Sequence, residues 1–561
     1  MLYTFRTILL FSLTINLILG CAAQPKSFIK SENSVIITLD TGVDVKKIRL
    51  SIIDEKIIRV TASPVSGFSE KESLMTIKQS DEIKNWEVEE QNDLIIISTS
   101  KLTIKVFKET GAITFLDKAG KVLLAEPETG GKFMETTEAG QGLFKLRQVF
   151  DSPEGEAFYG LGQHQHGYMN YKGKDVDLTQ QNIVAVVPFL LSNKNYGILW
   201  DNYSITKFGD PRNYGQISDL ILQDKEGNSG GLTATYYVGN EIIQQTIEDR
   251  INYQYLETDD YGKLPSEATK VTWEGRISSE VAGKHKFLLY ASSYFKLWVD
   301  GELLFDKWRQ NWNPWSNPFE IDLKPGEHHD LKIEWIPEGG YLSLTHLNPL
   351  PEQEQNQLSL TSESGYEIDY YFIHGETADE IISGYRQVTG KSPILPKWAY
   401  GFWQSRERYK TQNELLDVVR TFRDKEIPID NIVLDWFYWP EDQWGSHELE
   451  TSRFPDPEGM IRELHEDLNT NIMISVWPKY YPGTEHYREM DAKGYLFKHN
   501  IEQERIDWVG KGYTNTFYDP FNPGARDMFW DQLNEHLFSN GFDAWWLDAT
   551  APDMHSNLRI A

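Results

Sequence analysis

The sequence predicts a multidomain β plus α/β chain: a β-sandwich with an inserted β-barrel module, followed by an incomplete (β/α)8 barrel. Three observations carry this. From Ser34 to about Asn240, runs such as SVIITLD, KIRLSIID, DLIIISTS and LTIKVFK alternate apolar and polar residues between Gly, Asp, Asn and Lys, the period of half-buried strands in a sandwich. A second β-rich stretch, with KVTWEGRISS, HKFLLYASS, YFKLWVDGELLF and HDLKIEWI, precedes YEIDYYFIHGE, which reads as a return to the first sandwich. After PILPKWAYG the continuous apolar strands NIVLDW, NIMISVWP and FDAWWLDAT alternate with the amphipathic helices NELLDVVRTFRDK, PEGMIRELHEDL and PGARDMFWDQLNEHLFSN, the grammar of buried parallel strands.

The elements follow in order. Residues 1–20 read as a signal peptide: Arg6 precedes an apolar run from Ile8 to Gly20, too short for the ~20 residues of a membrane span. ILGC, ending at Cys21, resembles a lipobox, so Cys21 is the expected lipidation site. Residues 21–33 are then a tether, 34–245 the sandwich, 246–352 the inserted module, 353–389 the return, and 390–561 the N-terminal half of a barrel. In the module, Asp300-Gly301 supplies the positive φ angles of a tight hairpin. WAYGFWQS reads as the first barrel strand, and Leu415, Leu416, Val419 and Phe422 lie at helix-face spacing.

Composition narrows the function. Lys and Arg total 55 against 84 Asp and Glu, a formal charge of -29, which repels polyphosphate and sets nucleic acid aside as a partner. Aromatic residues make up 13%, with 18 Trp. Rings in that number suit flat apolar ligands such as sugar faces. No HExxH, Gly-rich phosphate loop or GxSxG elbow is present, so metal, phosphoryl and acyl chemistry lose support and no cofactor is expected. His164 and His166 read as loop residues rather than metal ligands.

Three strand ends carry candidate chemistry: Asp435 and Trp436 in NIVLDW, Trp477 and Lys479 in NIMISVWPK, and Asp548 in AWWLDAT. Barrels keep their chemistry at strand C-termini. There an ionised carboxylate can trap an oxocarbenium-like carbon while an indole packs on a sugar ring. A strand-end Asp also commonly caps the next helix, and Asp543 and Asp553 are read that way.

The strings IVLDWFYW, SVWPKYYPG, FNPGARDMFWDQL and AWWLDATAPDMHSN resemble glycoside hydrolase family 31, specifically its bacterial α-xylosidase-like members. FYGLGQHQHGYMNYKG and YGILWDN are similar to the family's mutarotase-like N-terminal sandwich, and ASSYFKLWVDGELLFDKW to the protective-antigen-type module. The resemblance implies a retaining exo-α-glycosidase acting on xyloglucan-type oligosaccharides. Asp548 matches the nucleophile, Asp435 the residue that binds sugar hydroxyls, and Trp477 and, by neighbourhood, Trp546 the aromatic walls. With the signal and lipobox-like ILGC at the N-terminus, the expectation is an exported lipoprotein of a Gram-negative-type envelope, touching the membrane only through its lipid.

The chain departs from the family in two places. The acid/base Asp lies on a later strand in the family, and nothing between Asp548 and Ala561 matches it; Ala551 stands where the family has Glu in WxDxxEP. The expectation is therefore a fragment inactive by itself, with a non-catalytic glycan-binding lipoprotein and an α-glucosidase as alternatives.

Overall fold

The computed structural model describes residues 27–548 apart from 40–43, 79–84, 138–139, 141, 165, 181–183, 254–263, 310–313, 505–513 and 515. The expected signal peptide, Cys21, Ala551 and Asp553 lie outside the described residues.

Antiparallel pairing builds the sandwich from an eight-stranded and a ten-stranded sheet. Alternation decides which side chains go inside: in KIRLSIID, Ile48, Leu50 and Ile52 are buried while Arg49 and Ser51 are less so. The returning strands close both sheets. Gln357–Gly365 pairs with Phe144–Asp151 and Thr206–Phe208, and Ile368–His374 with Ile57–Ser63 and Tyr196–Trp200. Between the two sheets, Lys132 Nζ donates to the Glu126 carboxylate and to the Gly111 carbonyl (3.0 Å), and Glu126 also accepts from the Ile113 amide (2.8 Å) and the Tyr370 hydroxyl (2.9 Å). These contacts satisfy an ion pair that is otherwise costly to bury.

Two expected boundaries move. The inserted unit begins near Gly215 rather than residue 246: Gly215–Gln216 pairs with Leu342–Leu347, and Leu232–Val238 and Glu241–Glu248 join the sheet of Lys270–Ser278. Leu232–Val238 (LTATYYV) reads like one more sandwich strand, so no compositional break marks the crossing. Part of the expected tether belongs to the sandwich: Phe28–Lys30 pairs with Ser34–Thr38 as its edge strand and Phe28 is buried.

The inserted unit packs a five-stranded sheet against a seven-stranded one. Its core centres on Trp273 and Trp335, stacked at 6.3 Å, whose indoles donate to Glu248 (2.8 Å) and the Ser292 carbonyl (3.0 Å). Lys286 to Asp175 (2.8 Å) and Arg212 to the Asn348 carbonyl (2.7 Å) fasten it to the sandwich near its exit and return.

The last unit is a parallel sheet of β1 (Trp403–Gln404), β2 (Asn431–Leu434), β3 (Asn471–Val476) and β4 (Ala544–Leu547), side by side in chain order. Of the expected strand WAYGFWQS only Trp403–Gln404 pairs, because Lys397–Tyr400 winds into a 3-10 turn after Pro396. Helix α1 (Gln412–Asp424) is capped by Thr411, which accepts from the Glu414 amide, and buries Leu415, Leu416 and Val419. Helices α2 (Glu485–Ala492) and α3 (Pro523–His536) lie between β3 and β4 in the chain. Asn522 caps α3, with Pro523 in its first turn.

Replacing one member of the buried Lys132–Glu126 pair leaves the other charge without its partner. Lys132→Met is expected to cost about 3–5 kcal/mol in urea unfolding, with much of the loss recovered in Lys132→Met/Glu126→Leu; an unchanged midpoint for the single variant contradicts this.

Candidate active site

Register assembles the site. The ladder pairs Leu434 with Ile474, Met473 with Ala544, Ser475 with Trp546, and Val476 with Leu547. Side chains alternate across a strand. Ile432, Leu434, Ile472 and Ile474 pack with the helices in one core, and Trp545 packs on Trp530 and Phe538 on that side. The other face therefore points inward. Val433, Met473 and Ala544 form one layer on it, and Asp435, Ser475 and Trp546 the next. Trp477 and Asp548 follow above, with the Asp548 amide extending the ladder to the Val476 carbonyl at 3.0 Å. Asp435, Trp477, Trp546 and Asp548 thus share one inner face at the C-terminal mouth of the sheet, although they come from three separate segments.

Asp435 is 6% exposed, and its Oδ1 accepts from the Trp436 amide at 2.8 Å. Burial pushes its carboxyl above the usual range. The Trp436 amide opposes this shift, the neighbouring carboxylates of Asp548 and Glu407 add to it, and Arg408 opposes it. Arg408 stacks its guanidinium 4.4 Å from the ring centres of both Trp436 and Phe437, so the cation is held over the aromatic mouth beside the acidic pair.

The aromatic floor is layered. Trp436 stacks on Trp477 at 6.0 Å and 24°, while Trp439 and Trp444 meet Trp477 at 5.5 and 5.4 Å. Trp477 is only 4% exposed and Trp546 40%. Trp477 is therefore the packed base of the wall, and Trp436 and Trp546 are its more accessible rings. Lys479 is buried, with its ammonium 5.7 Å from the Trp477 ring.

The remaining candidates lie elsewhere. Asp543 accepts from the Ile472 amide (2.9 Å) and His465 Nε2 (2.8 Å) and ties the start of β4 to β3. His164 contacts the Leu161 carbonyl (2.9 Å), and His166 lies against Trp315 of the inserted unit. Among the described residues no group of three or more His, Cys, Asp or Glu is arranged to hold a metal ion. Sequence reading missed Glu407, Arg408, Trp444 and His447. The only signal for the first two is the charged triplet Arg406-Glu407-Arg408 just beyond a strand end.

Comparisons with known proteins identify the family. The TIM-barrel domain model of glycosyl hydrolases family 31 matches residues 392–559, and that family's N-terminal galactose mutarotase-like domain matches residues 47–208. By its domains, the chain belongs to glycosyl hydrolase family 31. A PA14 domain matches residues 227–365, consistent with the early start of the inserted unit. A solved family 31 α-xylosidase from Xanthomonas citri is 46% identical with a TM-score of 0.86, covering 95% of this chain and 58% of that one. An α-xylosidase of Saccharolobus solfataricus is 26% identical over 82% of this chain and 42% of its own length. An uncharacterized family 31 glucosidase of Pseudescherichia vulneris is 34% identical over 73% and 50%, respectively. The chain spans about half the length of the relatives it matches.

Arg408 offsets the carboxylates that crowd Asp435. Arg408→Gln is expected to move the Asp435 carboxyl further upward, read by NMR titration of 13C-labelled aspartate; no movement, or movement downward, contradicts the arrangement.

Proposed function

We propose that this mouth is the sugar-binding half of a retaining, exo-acting α-glycosidase site, of α-xylosidase type and directed at xyloglucan-type oligosaccharides. The observation that carries the reading is the shared inner face: the β2–β3–β4 register brings Asp435 and Asp548 to one mouth, where the charge of Asp548 adds to the upward shift that burial gives the Asp435 carboxyl, over a stacked tryptophan floor. In this account the Asp548 carboxylate attacks the anomeric carbon as the bond to the leaving oxygen breaks. The glycosyl-enzyme ester is then opened by water. Asp435 accepts hydrogen bonds from ring hydroxyls, most strongly as the carboxylate, and Trp436, braced by Trp477, takes the apolar face of the sugar.

The leaving oxygen needs a proton from a second carboxyl about 5 Å from the nucleophile. No described residue matches that role, and among the described residues β1 and β4 are the outer strands of the parallel sheet. We infer that residues 22–561 do not turn over glycosides unaided. An assay of that segment with an aryl α-xyloside is expected to show no hydrolysis; turnover abolished by Asp548→Asn contradicts this.

The xylose preference draws on the Xanthomonas citri α-xylosidase. The Pseudescherichia vulneris relative, described as a glucosidase, favours glucose as a second reading. A chimera decides between them: residues 22–548 followed by the C-terminal remainder of the Xanthomonas citri enzyme. It is expected to cleave aryl α-xylosides in preference to α-glucosides and to lose activity in Asp548→Asn. Preference for glucosides supports the second reading. Sugar binding without turnover in the chimera supports a glycan-binding protein. We further propose that Cys21 carries a lipid anchor holding the protein at the cell envelope.

A further inference from the structure

A buried histidine pair lies directly behind the aromatic floor. His447 is 1% and His486 4% exposed. His447 Nε2 lies 2.9 Å from the Trp477 carbonyl, and its Nδ1 lies 3.3 Å from Nδ1 of His486. A carbonyl can only accept, so His447 Nε2 carries a hydrogen. A neutral His447 then presents a bare Nδ1, which accepts, and His486 must present Nδ1–H. One carbonyl thus dictates the tautomers of two rings in sequence.

The surroundings keep both rings neutral. Tyr480 meets His447 edge-on at 6.2 Å and Phe529 at 5.6 Å. From α3, His536 meets the His486 ring at 4.8 Å, and Gln532 accepts from the Tyr480 hydroxyl and donates to Glu489 of α2. Lys479 lies between Tyr480 and Trp477 in the chain. Among the described residues, the imidazole hydrogen-bond partners of the pair are each other and the Trp477 carbonyl. A second proton on His447 sets two N–H groups against each other and breaks the chain of bonds.

We propose that His447, held in the Nε2–H tautomer by His486, is a positioning residue of the candidate site: it fixes the Trp477 main chain at the end of β3, and through the Trp477 indole the stacked Trp436 that takes the sugar. This rests on the functional reading above for the word sugar, but not for the positioning itself. Burial lowers the pKa of His447 to about 4 and that of His486 to about 3, so the device holds throughout the neutral range and fails on acidification.

Two measurements on residues 22–561 test it. In protein labelled with 15N-histidine, His447 is expected as the Nε2–H tautomer and His486 as Nδ1–H; His447 as Nδ1–H overturns the proposal without any variant. Near-ultraviolet circular dichroism then follows the tryptophan cluster from pH 8 to pH 4. In an Asp435→Asn background, which removes the carboxyl that also titrates beside Trp436, the signal is expected to be constant until it changes as pH falls towards 4. His447→Gln, whose amide still donates but does not titrate there, is expected to keep the neutral-pH signal and lose that transition. His447→Leu is expected to alter the signal at pH 7 with far-ultraviolet dichroism unchanged. A transition that persists unaltered in His447→Gln overturns the proposal. Failure of the protein to bind sugar leaves these readouts intact and counts against the functional reading alone.

Discussion

The parallel hydrogen-bond ladder joining β2, β3 and β4 is the constraint on which the rest of the site depends. Because the side-chain period is two, a slip of one residue between β3 and β4 turns Asp548 and Trp546 towards the helices and brings Trp545 and Leu547 inward. The register is held from below as well as along its length. Asp543, which precedes β4, receives the amide of Ile472 in β3, and the indole of Trp545 is wedged against Trp530 and Phe538. Those contacts on the helix side decide which carboxylate faces the opening.

The two β-rich units are joined to each other and to the barrel unit by specific contacts. The chain leaves the sandwich after Thr206–Phe208 and comes back through Gln357–Gly365, which pairs with that same strand. The inserted unit therefore starts and ends on neighbouring strands, so its presence leaves the sandwich sheets whole. The sandwich also reaches the barrel unit directly, where Tyr203 packs on Phe521 just before α3. Charge is treated differently in the two places. In the sandwich the buried Lys132–Glu126 pair is neutralised and hydrogen-bonded, whereas at the barrel mouth acidic groups crowd together with Arg408 as a stacked counter-charge. Such crowding raises a carboxyl pKa and is characteristic of sites built for work rather than stability.

Much of this was legible in the sequence. The strands of the sandwich follow from period two, and the strand ends bearing Asp435, Trp477 and Asp548 follow from apolar runs that stop in polar residues. The insertion's start was not legible, because Leu232–Val238 reads like one more sandwich strand and only its hydrogen bonds, to Lys270–Ser278 on one side and to Glu241–Glu248 on the other, assign the two strands to the inserted unit. Nor was the layering of the floor: sequence marks Trp477 and, by neighbourhood, Trp546 as aromatic walls, while packing by Trp436, Trp439 and Trp444 buries the first and the second is 40% exposed. Arg408 and His447 act across gaps in the chain of tens of residues, where pattern carries no information about contact. The tryptophan excess concentrates in the barrel unit, where 10 of 18 lie from Trp398 onward. Several of them brace one another before any meets a ligand.

The central claim is that Asp548 occupies the nucleophile's place at this mouth. Incubating the chimeric, closed-barrel protein with 5-fluoro-α-D-xylosyl fluoride, whose fluoride departs with little need of protonation, followed by peptide mass spectrometry, tests it most directly. The account predicts a fluoropentosyl ester on the peptide containing Asp548 and none in Asp548→Asn; an adduct on Asp435, or none on either aspartate, contradicts it.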